Sequence, residues 1–441
     1  MRPERRERSL AEAGKLLLGW CDQSENRRSR AQSTNIRTCN QASVVLQLTG
    51  TLSLVEHSFD AGLVRHRFRR ASVVLTKGDD YPIHQTAEPI AYAGTDRNFY
   101  DRYFFNGYAP SPDQGFFAVA LGVYPHVNIM DASFCWLVGG EQINLHASRG
   151  LNMERMDTQV GGISIEVLEP LNSLKVTIDA PGEGIRGELI FNGRAFPLEE
   201  PRFTRRNGPR VLMDVTRLTQ NGTYSGWVEV DGARTEVTGW VGTRDRSWGV
   251  RPIGAPDAQP ASPPVAPQFF WLWSPIVLEG GDLYLHTNDD EHGRFWNRRA
   301  TWRVEGGGIN DEHHFDAADY KIQWRQGSRH AQAASATLTD ASGETTVKFD
   351  LGETFMMLGL GYGHPKWGHG RHHGDGVTVE REDFKPAELD PMLPHHLHIQ
   401  AVAAVTMTGP DGSVRRGKGI LEQLAIGPHA PSGFTGMLDP A

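Results

Sequence analysis

Residues 224–252, YSGWVEVDGARTEVTGWVGTRDRSWGVRP, decide the fold of this chain. Val228 and Val230 alternate with polar or bulky neighbours, which is the two-residue period of a half-buried strand. Asp231-Gly232 follows directly, and this pair tolerates the positive φ angles that a tight hairpin turn requires. The stretch therefore predicts an antiparallel hairpin whose return strand runs into a cluster of charges.

Similar strand patterns recur along most of the chain. The 441 residues include 49 glycines and 26 prolines, which indicates many turns and short strands. Helical signals are sparse and are confined to 10–19 and 316–320. The chain is therefore predicted to be all-β, with antiparallel barrels or sandwiches rather than an α/β sheet. Further predicted strands lie at 116–124, 163–167, 174–178, 269–273 and 281–286, and a late hairpin at 401–421.

Two parts of the chain have similar sequence patterns. Each contains a strand, an Asp-Gly turn beginning at Asp231 or Asp411, and a return strand with paired glycines. Charged residues follow in each part, Arg244-Asp245 in one and Glu422 in the other. This pattern predicts two related β units.

The predicted boundaries follow from composition. The first β domain is expected at 75–252 and the second at 268–430, with a proline-rich linker or loop at 253–267. Residues 1–72 carry 13 basic and 7 acidic residues, a net charge of +6. We expect them to form a basic, disordered extension, although an over-long start of the gene model would have the same composition.

Bulk properties exclude several classes of partner. The net charge of −8 argues against nucleic acid as the main partner. The three cysteines cannot form a disulfide framework, so a reducing compartment is expected. No apolar run is long enough to span a bilayer, so we expect no stable membrane insertion and a cytoplasmic protein. The sequence leaves the oligomeric state open.

The charge cluster at 242–252 holds three arginines, one carboxylate and one indole. Buried charge is costly unless it is paired, so such a cluster is usually solvated or faces a site. Asp245 is a candidate general acid or substrate-orienting group, but it could equally pair with a neighbouring arginine and hold a barrel rim. Trp248 is a candidate aromatic wall or, alternatively, a core residue.

This cluster resembles a signature of the lipocalin-like hydroxyneurosporene synthase (carotenoid hydratase) and AttH superfamily. The family pattern Asp-His-Asn-Trp-Gly reads Asp-Arg-Ser-Trp-Gly here, from Asp245 to Gly249. A second stretch, DRYFFNGY at 101–108, is similar to a block in other members. The resemblance implies two lipocalin-like β-barrels in tandem, with an apolar ligand bound between or inside them and no cofactor.

The resemblance also implies a reaction, in which an acid protonates a C=C bond, aromatic rings face the carbocation and water adds. On this basis the catalytic candidates are Asp245 as acid or orienting group, Trp248 as aromatic wall, Tyr284 as hydroxyl donor and His286 as proton carrier. Arg246 replaces the histidine of the signature, and arginine cannot shuttle a proton at neutral pH. His286 stands where the family has aspartate.

Ligand-binding candidates lie beside these residues. The second block contributes a polar and aromatic cluster, comprising Asp101, Arg102, Tyr103, Asn106 and Tyr108, which could line a pocket or form a rigid turn. An arginine in such a site can hold the carboxylate or phosphate of an amphipathic ligand. The ligand-binding candidates are Arg244, Arg246, Tyr103, Asn106, Trp271 and Trp273.

The first hypothesis is thus a protein that binds a hydrophobic small molecule, isoprenoid-, steroid- or polyketide-like, and hydrates or isomerises it by cofactor-free acid–base chemistry. A non-catalytic carrier is the alternative, and the Arg246 replacement favours it. A further alternative is a metal-dependent enzyme that uses the histidines of 364–398. There, His396 and His398 could act with His372 or Asp375, but no familiar ligand spacing is present, so the first hypothesis includes no metal.

Overall fold

The computed structural model describes residues 75, 77–111, 114–256, 267–374 and 376–441. The described residues form one compact unit. The predicted extension 1–72, the helical signal at 10–19 and most of the predicted linker lie outside the described residues. Within the described ranges, no helix has both the length and the apolar character needed to cross a membrane.

The described residues are nearly all-β, and short 3-10 helices form some of the connections. The strands are β1 (Phe99–Tyr108), β2 (Phe116–Tyr124), β3 (Ile129–Val138), β4 (Glu141–Gly150), β5 (Gln159–Val160), β6 (Ile163–Glu169), β7 (Ser173–Ala180), β8 (Ile185–Gly193), β9 (Leu198–Glu199), β10 (Phe203–Asn207), β11 (Arg210–Val230), β12 (Ala233–Val250), β13 (Phe269–Leu278), β14 (Gly281–Asp289), β15 (Phe295–Val304), β16 (Glu312–His314), β17 (Ala317–Trp324), β18 (Ala331–Asp340), β19 (Gly343–Met356), β20 (Thr378–Phe384), β21 (Ile399–Thr408) and β22 (Val414–Ile426). The 3-10 helices are Lys77–Asp80, Pro125–Val127, Pro181–Glu183, Met357–Leu360, Pro386–Glu388, Pro394–His396 and Ala430–Ser432.

These strands form two curled antiparallel sheets. The first sheet has the order β20-β4-β3-β2-β1-β12-β11-β8-β7-β6-β5, and β9 and β10 also pair with β11. The second sheet has the order β16-β15-β14-β13-β22-β21-β19-β18-β17. Strand β20 follows the second-sheet strand β19 in the chain but pairs with β4 of the first sheet. The predicted all-β class, with tandem half-barrels and few helices, is confirmed.

The central strands of each sheet bury both faces because their side chains alternate between two cores. In β1, Phe105 packs into the core enclosed by the first sheet, whereas Phe104 points the other way. In β13, Leu272 packs into the core of the second sheet, whereas Trp273 points away from it. Phe104 and Trp273 meet in a third core between the two sheets, with ring centroids 6.1 Å apart. The sheets therefore pack against each other through their outward-facing side chains.

The hairpin predicted from residues 224–252 is confirmed as the long pair β11 and β12. Asp231 and Gly232 form its turn, with φ values of 51° and 80°. Gly226 interrupts the pairing as a bulge at φ 124°, where a Cβ would lie 1.9 Å from the Glu188 carbonyl oxygen. Only glycine fits there, and the bulge lets the long strand bend with its sheet.

The predicted helix at 316–320 is wrong, because Ala317–Trp324 forms strand β17. Buried Ala318 and half-buried Tyr320 share one face, whereas Asp319 and Lys321 are exposed on the other. This is a two-residue period, which side-chain burial on a sheet edge reinforces. The strand pairs along its length with β18.

Candidate functional site

A cavity of about 470 Å³ lies between the two sheets. Strands β1, β10, β11 and β12 of the first sheet form one wall, and β13 and β22 of the second sheet form the other. Its apolar lining comprises Tyr100, Phe104, Phe203, Leu212, Met213, Val215, Phe269, Trp271, Leu424 and Ile426. Polar groups occupy the remaining wall and include two carboxylates.

Asp245 is the first of these carboxylates. It lies on β12 between Phe104 of β1 and Thr219 of β11, and the sheet alternation turns its side chain into the cavity. Only 8% of the residue is exposed. Its Oδ2 lies 3.8 Å from Nε of Arg217. Burial raises the pKa of Asp245 to about 6, and the Arg217 charge only partly opposes this rise.

Arg217 connects Asp245 to a second buried acid. Its Nη1 donates to Oε2 of Glu200 at 3.5 Å. Glu200 Oε1 also accepts the Trp273 indole N–H at 2.8 Å and the Thr219 hydroxyl at 2.6 Å. Glu200 thereby holds the Arg217 guanidinium next to Asp245 from behind the cavity wall.

Glu422 is the second cavity carboxylate and has the opposite environment. Its Oε1 accepts the Trp271 indole N–H at 3.0 Å and the His398 Nε2–H at 2.8 Å. Its Oε2 accepts the Gln400 amide at 2.7 Å. Burial alone would raise the pKa of Glu422, but the bonds from His398, Gln400 and Trp271 outweigh it and lower the pKa. Glu422 is thus a fixed anion, whereas Asp245 can exchange a proton.

Two arginines form the end of the cavity next to Tyr362. The Arg102 guanidinium lies 4.7 Å above the Tyr362 ring, and its Nη2 donates to the Leu360 carbonyl oxygen at 3.0 Å. Arg251 lies 4.4 Å above the Tyr100 ring and 5.6 Å from that of Tyr362. A guanidinium over an aromatic face is stabilised by the ring without using its N–H groups, which point outward in the guanidinium plane and can donate to other acceptors.

The predicted residues Arg244, Arg246 and Tyr103 lie on the opposite face of the first sheet. Neighbours along a strand point to opposite faces, so the structure separates Arg244 and Arg246 from Asp245. Arg246 Nη1 pairs with Asp101 at 2.6 Å, and its guanidinium lies 3.8 Å above the Tyr103 ring. Arg244 Nε donates to Gln220 Oε1 at 2.8 Å. None of the three lines the cavity.

Trp248 shares that face with Arg246. It is 36% exposed near the end of β12 and does not line the cavity either. Asn106, by contrast, faces the second sheet from β1. Its amide donates to Gln400 Oε1 at 3.1 Å, and its Oδ1 accepts the Thr243 N–H at 3.0 Å. Asn106 therefore joins the two sheets and does not line the cavity.

Tyr284 and His286 are buried between the sheets but do not line the cavity. The Tyr284 hydroxyl accepts the Asn221 backbone N–H at 3.0 Å, which connects the second sheet to the first. His286 Nε2 lies 3.3 Å from Asn297 Oδ1, and its ring lies 6.2 Å from that of Trp271. Burial lowers the pKa of His286, so it remains neutral behind the wall. Of the two tryptophans predicted to bind the ligand, Trp271 lines the cavity and Trp273 holds Glu200.

The sequence interpretation missed the roles of Arg217, Arg251, His398 and Glu422. Arg251 belongs to the 242–252 charge cluster, and Glu422 stands in the second β unit where Asp245 stands in the first, but the pattern does not indicate their roles. His398 and Glu422 approach through the β21–β22 pairing, in which Ile399 and Gln423 are opposite each other. That register cannot be counted from the sequence before the turn is known.

His396 and His398 of the histidine-rich segment 364–398, which the metal-dependent alternative would use, form separate contacts. His398 binds Glu422, and His396 Nδ1 contacts the Asp390 carbonyl oxygen at 2.7 Å. Asp375 lies outside the described residues.

One group that could hold a metal does form nearby, from His146, His364 and Glu382. The backbone N–H groups of Lys366 and Trp367 donate to His364 Nδ1 at 3.0 and 2.8 Å. Because Nδ1 of His364 accepts these bonds, the proton of the neutral ring is on Nε2, which lies 3.1 Å from Glu382 Oε2. A metal ion would need a lone pair on Nε2 instead. This arrangement fits a hydrogen-bonded contact between β4, β20 and the loop before β20, and it does not fit a metal centre.

Comparisons with known proteins place the chain as follows. Residues 75–435 match the model of a family described as Family of unknown function (DUF8625). No curated protein matches the sequence. An AttH candidate from Nitrosomonas europaea is similar in structure, with 15% identity, 78% of this chain and 98% of that chain covered, and a TM-score of 0.44. CghA, solved with Sch210972, is similar at 11% identity, with 75% of this chain and 89% of that chain covered and a TM-score of 0.43.

Proposed function

We propose that this chain, which belongs to the DUF8625 family, binds a hydrophobic small molecule in the cavity between its two sheets. The observation that carries the proposal is the cavity itself, about 470 Å³ in volume and walled largely by aromatic and aliphatic side chains. Small-molecule sites typically have volumes of about 300–1,000 Å³, apolar walls and a few convergent polar groups. An isoprenoid-, steroid- or polyketide-like ligand fits this description.

We further propose that Asp245 is a general acid toward a C=C bond of this ligand. Its carboxyl is buried, faces the cavity and has a pKa of about 6, so it can donate and recover a proton near neutral pH. The Asp245 proton would form a C–H bond at one alkene carbon, using the π electrons, and leave a cation at the other. Water would then add its oxygen to the cation and return a proton to Asp245, or the cation would lose a neighbouring proton and complete an isomerisation.

Glu422 and Trp271 support this assignment from the cavity wall. Glu422 remains an anion, and Trp271, which binds it, turns an aromatic surface toward the same space. Aromatic faces and fixed carboxylates both stabilise developing positive charge. Hydration, the reaction implied by the resemblance to hydroxyneurosporene synthases, is the variant that uses water. Under this proposal, the other predicted catalytic residues have structural roles outside the cavity: Trp248, Tyr284 and His286.

Binding can be tested with phenylnaphthylamine, an uncharged probe that fluoresces in apolar sites. Leu424 lines the cavity and is partly buried, so Leu424→Trp would fill the space with an indole. We expect the wild type to bind the probe and Leu424→Trp to weaken binding by about tenfold or more. Leu168→Trp, at an exposed position on β6, is the matched control. Equal binding by wild type and Leu424→Trp would reject the cavity as the site.

A non-catalytic carrier is the second candidate, and one observation favours it. Arg246, at the histidine position of the signature, is bound to Asp101 and lies away from the cavity. The hydrophobe that co-purifies with the recombinant protein can be identified by mass spectrometry and returned to the protein in heavy water. An enzyme would place deuterium on a ligand carbon in the wild type but not in Asp245→Asn. Binding without deuterium uptake in either protein would identify a carrier.

A further inference from the structure

The cavity contains more positive charge than its carboxylates balance. Four arginines line it: Arg102, Arg205, Arg217 and Arg251. Among the described residues, only Arg217 has a carboxylate within 4 Å. Arg205 is instead bound to Gln268, by its backbone carbonyl at 2.6 Å and its side-chain oxygen at 3.1 Å. Positive charge without a protein counter-ion indicates that the cavity favours a ligand with a negative charge.

Arg102 is the clearest case. Only 2% of the residue is exposed, and its Nε and Nη1 are buried with no hydrogen-bond partner in the described structure. A guanidinium has no lone pair to offer, so these N–H groups can be satisfied only by an acceptor. Leaving charged donors unpaired in a buried place costs free energy, and native proteins retain such a cost mainly where function requires it.

The groups that surround Arg102 do not supply an acceptor for its Nε and Nη1 groups. Tyr362 stacks on the guanidinium, and the charges of Asp131 and Asp245 act on it from beyond ion-pair distance. Asp131 is occupied on its own side, where its Oδ2 accepts the Gly370 N–H at 2.8 Å. The Tyr124 hydroxyl is buried near Asp131 and forms no hydrogen bond with Arg102. No group of the described protein therefore accepts a hydrogen bond from Arg102 Nε or Nη1, and both remain available to a ligand.

Arg251 provides a second cation at the same end of the cavity. It shares the Tyr362 ring with Arg102, and its Nη2 donates to His369 Nδ1 at 3.2 Å. His369 Nε2 in turn donates to the Leu360 carbonyl oxygen at 2.8 Å, so His369 is a neutral acceptor and not a counter-charge. Two arginines thus flank one aromatic ring, and neither is paired with a carboxylate.

We infer that the ligand of this cavity is amphipathic and carries a carboxylate or another singly charged oxygen anion, which Arg102 and Arg251 bind beside Tyr362. The inference rests on the proposed function, because it names the class of ligand that the cavity binds. The hydrocarbon part of the ligand would extend from this end along Phe203 and Leu424. Arg102 is then a specificity residue, and it selects acids over their uncharged analogues.

The test compares two probes that differ only in an anionic group: anilinonaphthalene sulfonate and its uncharged parent, phenylnaphthylamine. The wild type is expected to bind the sulfonate about tenfold more tightly than the parent, because charge-assisted hydrogen bonds in a buried site favour it. Arg102→Gln is expected to remove this preference and leave binding of the parent unchanged. Arg102→Lys keeps the charge without the planar fork and is expected to give an intermediate preference.

Arg234→Gln is the matched control, since Arg234 pairs with Glu236 on the exposed β11–β12 hairpin, away from the cavity. It changes the net charge equally and is expected to leave both affinities unchanged. If the wild type binds both probes equally, or Arg102→Gln weakens both equally, the anion site is overturned while the hydrophobic cavity stands. If neither probe binds, the proposed function falls together with the inference.

Discussion

Asp245 and Glu422 occupy corresponding positions in the two sheets and face the same cavity. Asp245 lies on β12, beside β1, and Glu422 lies on β22, beside β13. Their surroundings shift their pKa values in opposite directions, upward for Asp245 through burial and downward for Glu422 through three hydrogen-bond donors. Two carboxylates whose pKa values are separated in this way can serve as proton donor and permanent anion.

The first prediction concerns the loss of folding stability that accompanies ionisation of buried Asp245. Because its folded pKa of about 6 exceeds the ordinary 3.8, the folded state loses stability as pH rises from about 4 through about 6. Asp245→Asn should therefore stabilise the protein at pH 7 by up to about 3 kcal/mol, and the gain should disappear below pH ~4. Urea unfolding at both pH values measures it, with the exposed Asp319→Asn as control. A loss of stability at pH 7 would show that Asp245 serves mainly as a structural partner of Arg217.

Glu422→Gln should have the opposite effect. The amide would present N–H groups to a site that already holds three donors, so we expect a loss of about 2–3 kcal/mol at neutral pH. The lowered pKa of Glu422 means that its contribution is present above its ordinary value and is lost as pH falls through the folded value. Thermal unfolding from neutral to acidic pH, with the exposed Glu199→Gln as control, measures both features. An unchanged melting temperature at pH 7 would contradict the assigned network.

Much of this architecture could be predicted from the sequence. The alternation in 224–252 predicts the hairpin, and the charge cluster on its return strand indicates Asp245 as a candidate site residue. The other residues of the cluster could not be placed in the same way. Side chains alternate between the two faces of a strand, so Arg246 and Trp248 point away from the face that carries Asp245. The unpaired state of Arg102 depends on residues from distant strands and loops, so no local pattern could reveal it.

Arg102 should reduce the stability of the ligand-free protein. Replacing an unpaired buried cation by a hydrocarbon of similar volume removes a desolvation cost, so Arg102→Met should raise the free energy of unfolding by about 1 kcal/mol. The Leu360 carbonyl oxygen that Arg102 binds keeps a donor, since His369 also reaches it. Chemical denaturation of the ligand-free protein measures the change. A loss above ~1 kcal/mol would indicate that Arg102 holds the fold rather than a ligand.

Binding of an anion at Arg102 should also protonate Asp245. The positive charge of Arg102 lowers the pKa of Asp245, and an anion beside Arg102 cancels this effect, so the pKa of Asp245 should rise above about 6. Titration of anilinonaphthalene sulfonate near pH 6.5, in buffers of different ionisation enthalpy, should therefore show proton uptake by calorimetry. Asp245→Asn should abolish the uptake. Equal uptake by wild type and Asp245→Asn would place the titrating group elsewhere.

The central claim, that the ligand lies between the two sheets, is tested most directly by a crystal structure of the protein saturated with anilinonaphthalene sulfonate. The account predicts that the aromatic rings pack against Trp271 and Phe203 and that the sulfonate contacts Arg102. A probe enclosed within either half-barrel, or bound on the outer surface while the cavity between the sheets holds only solvent, would contradict it.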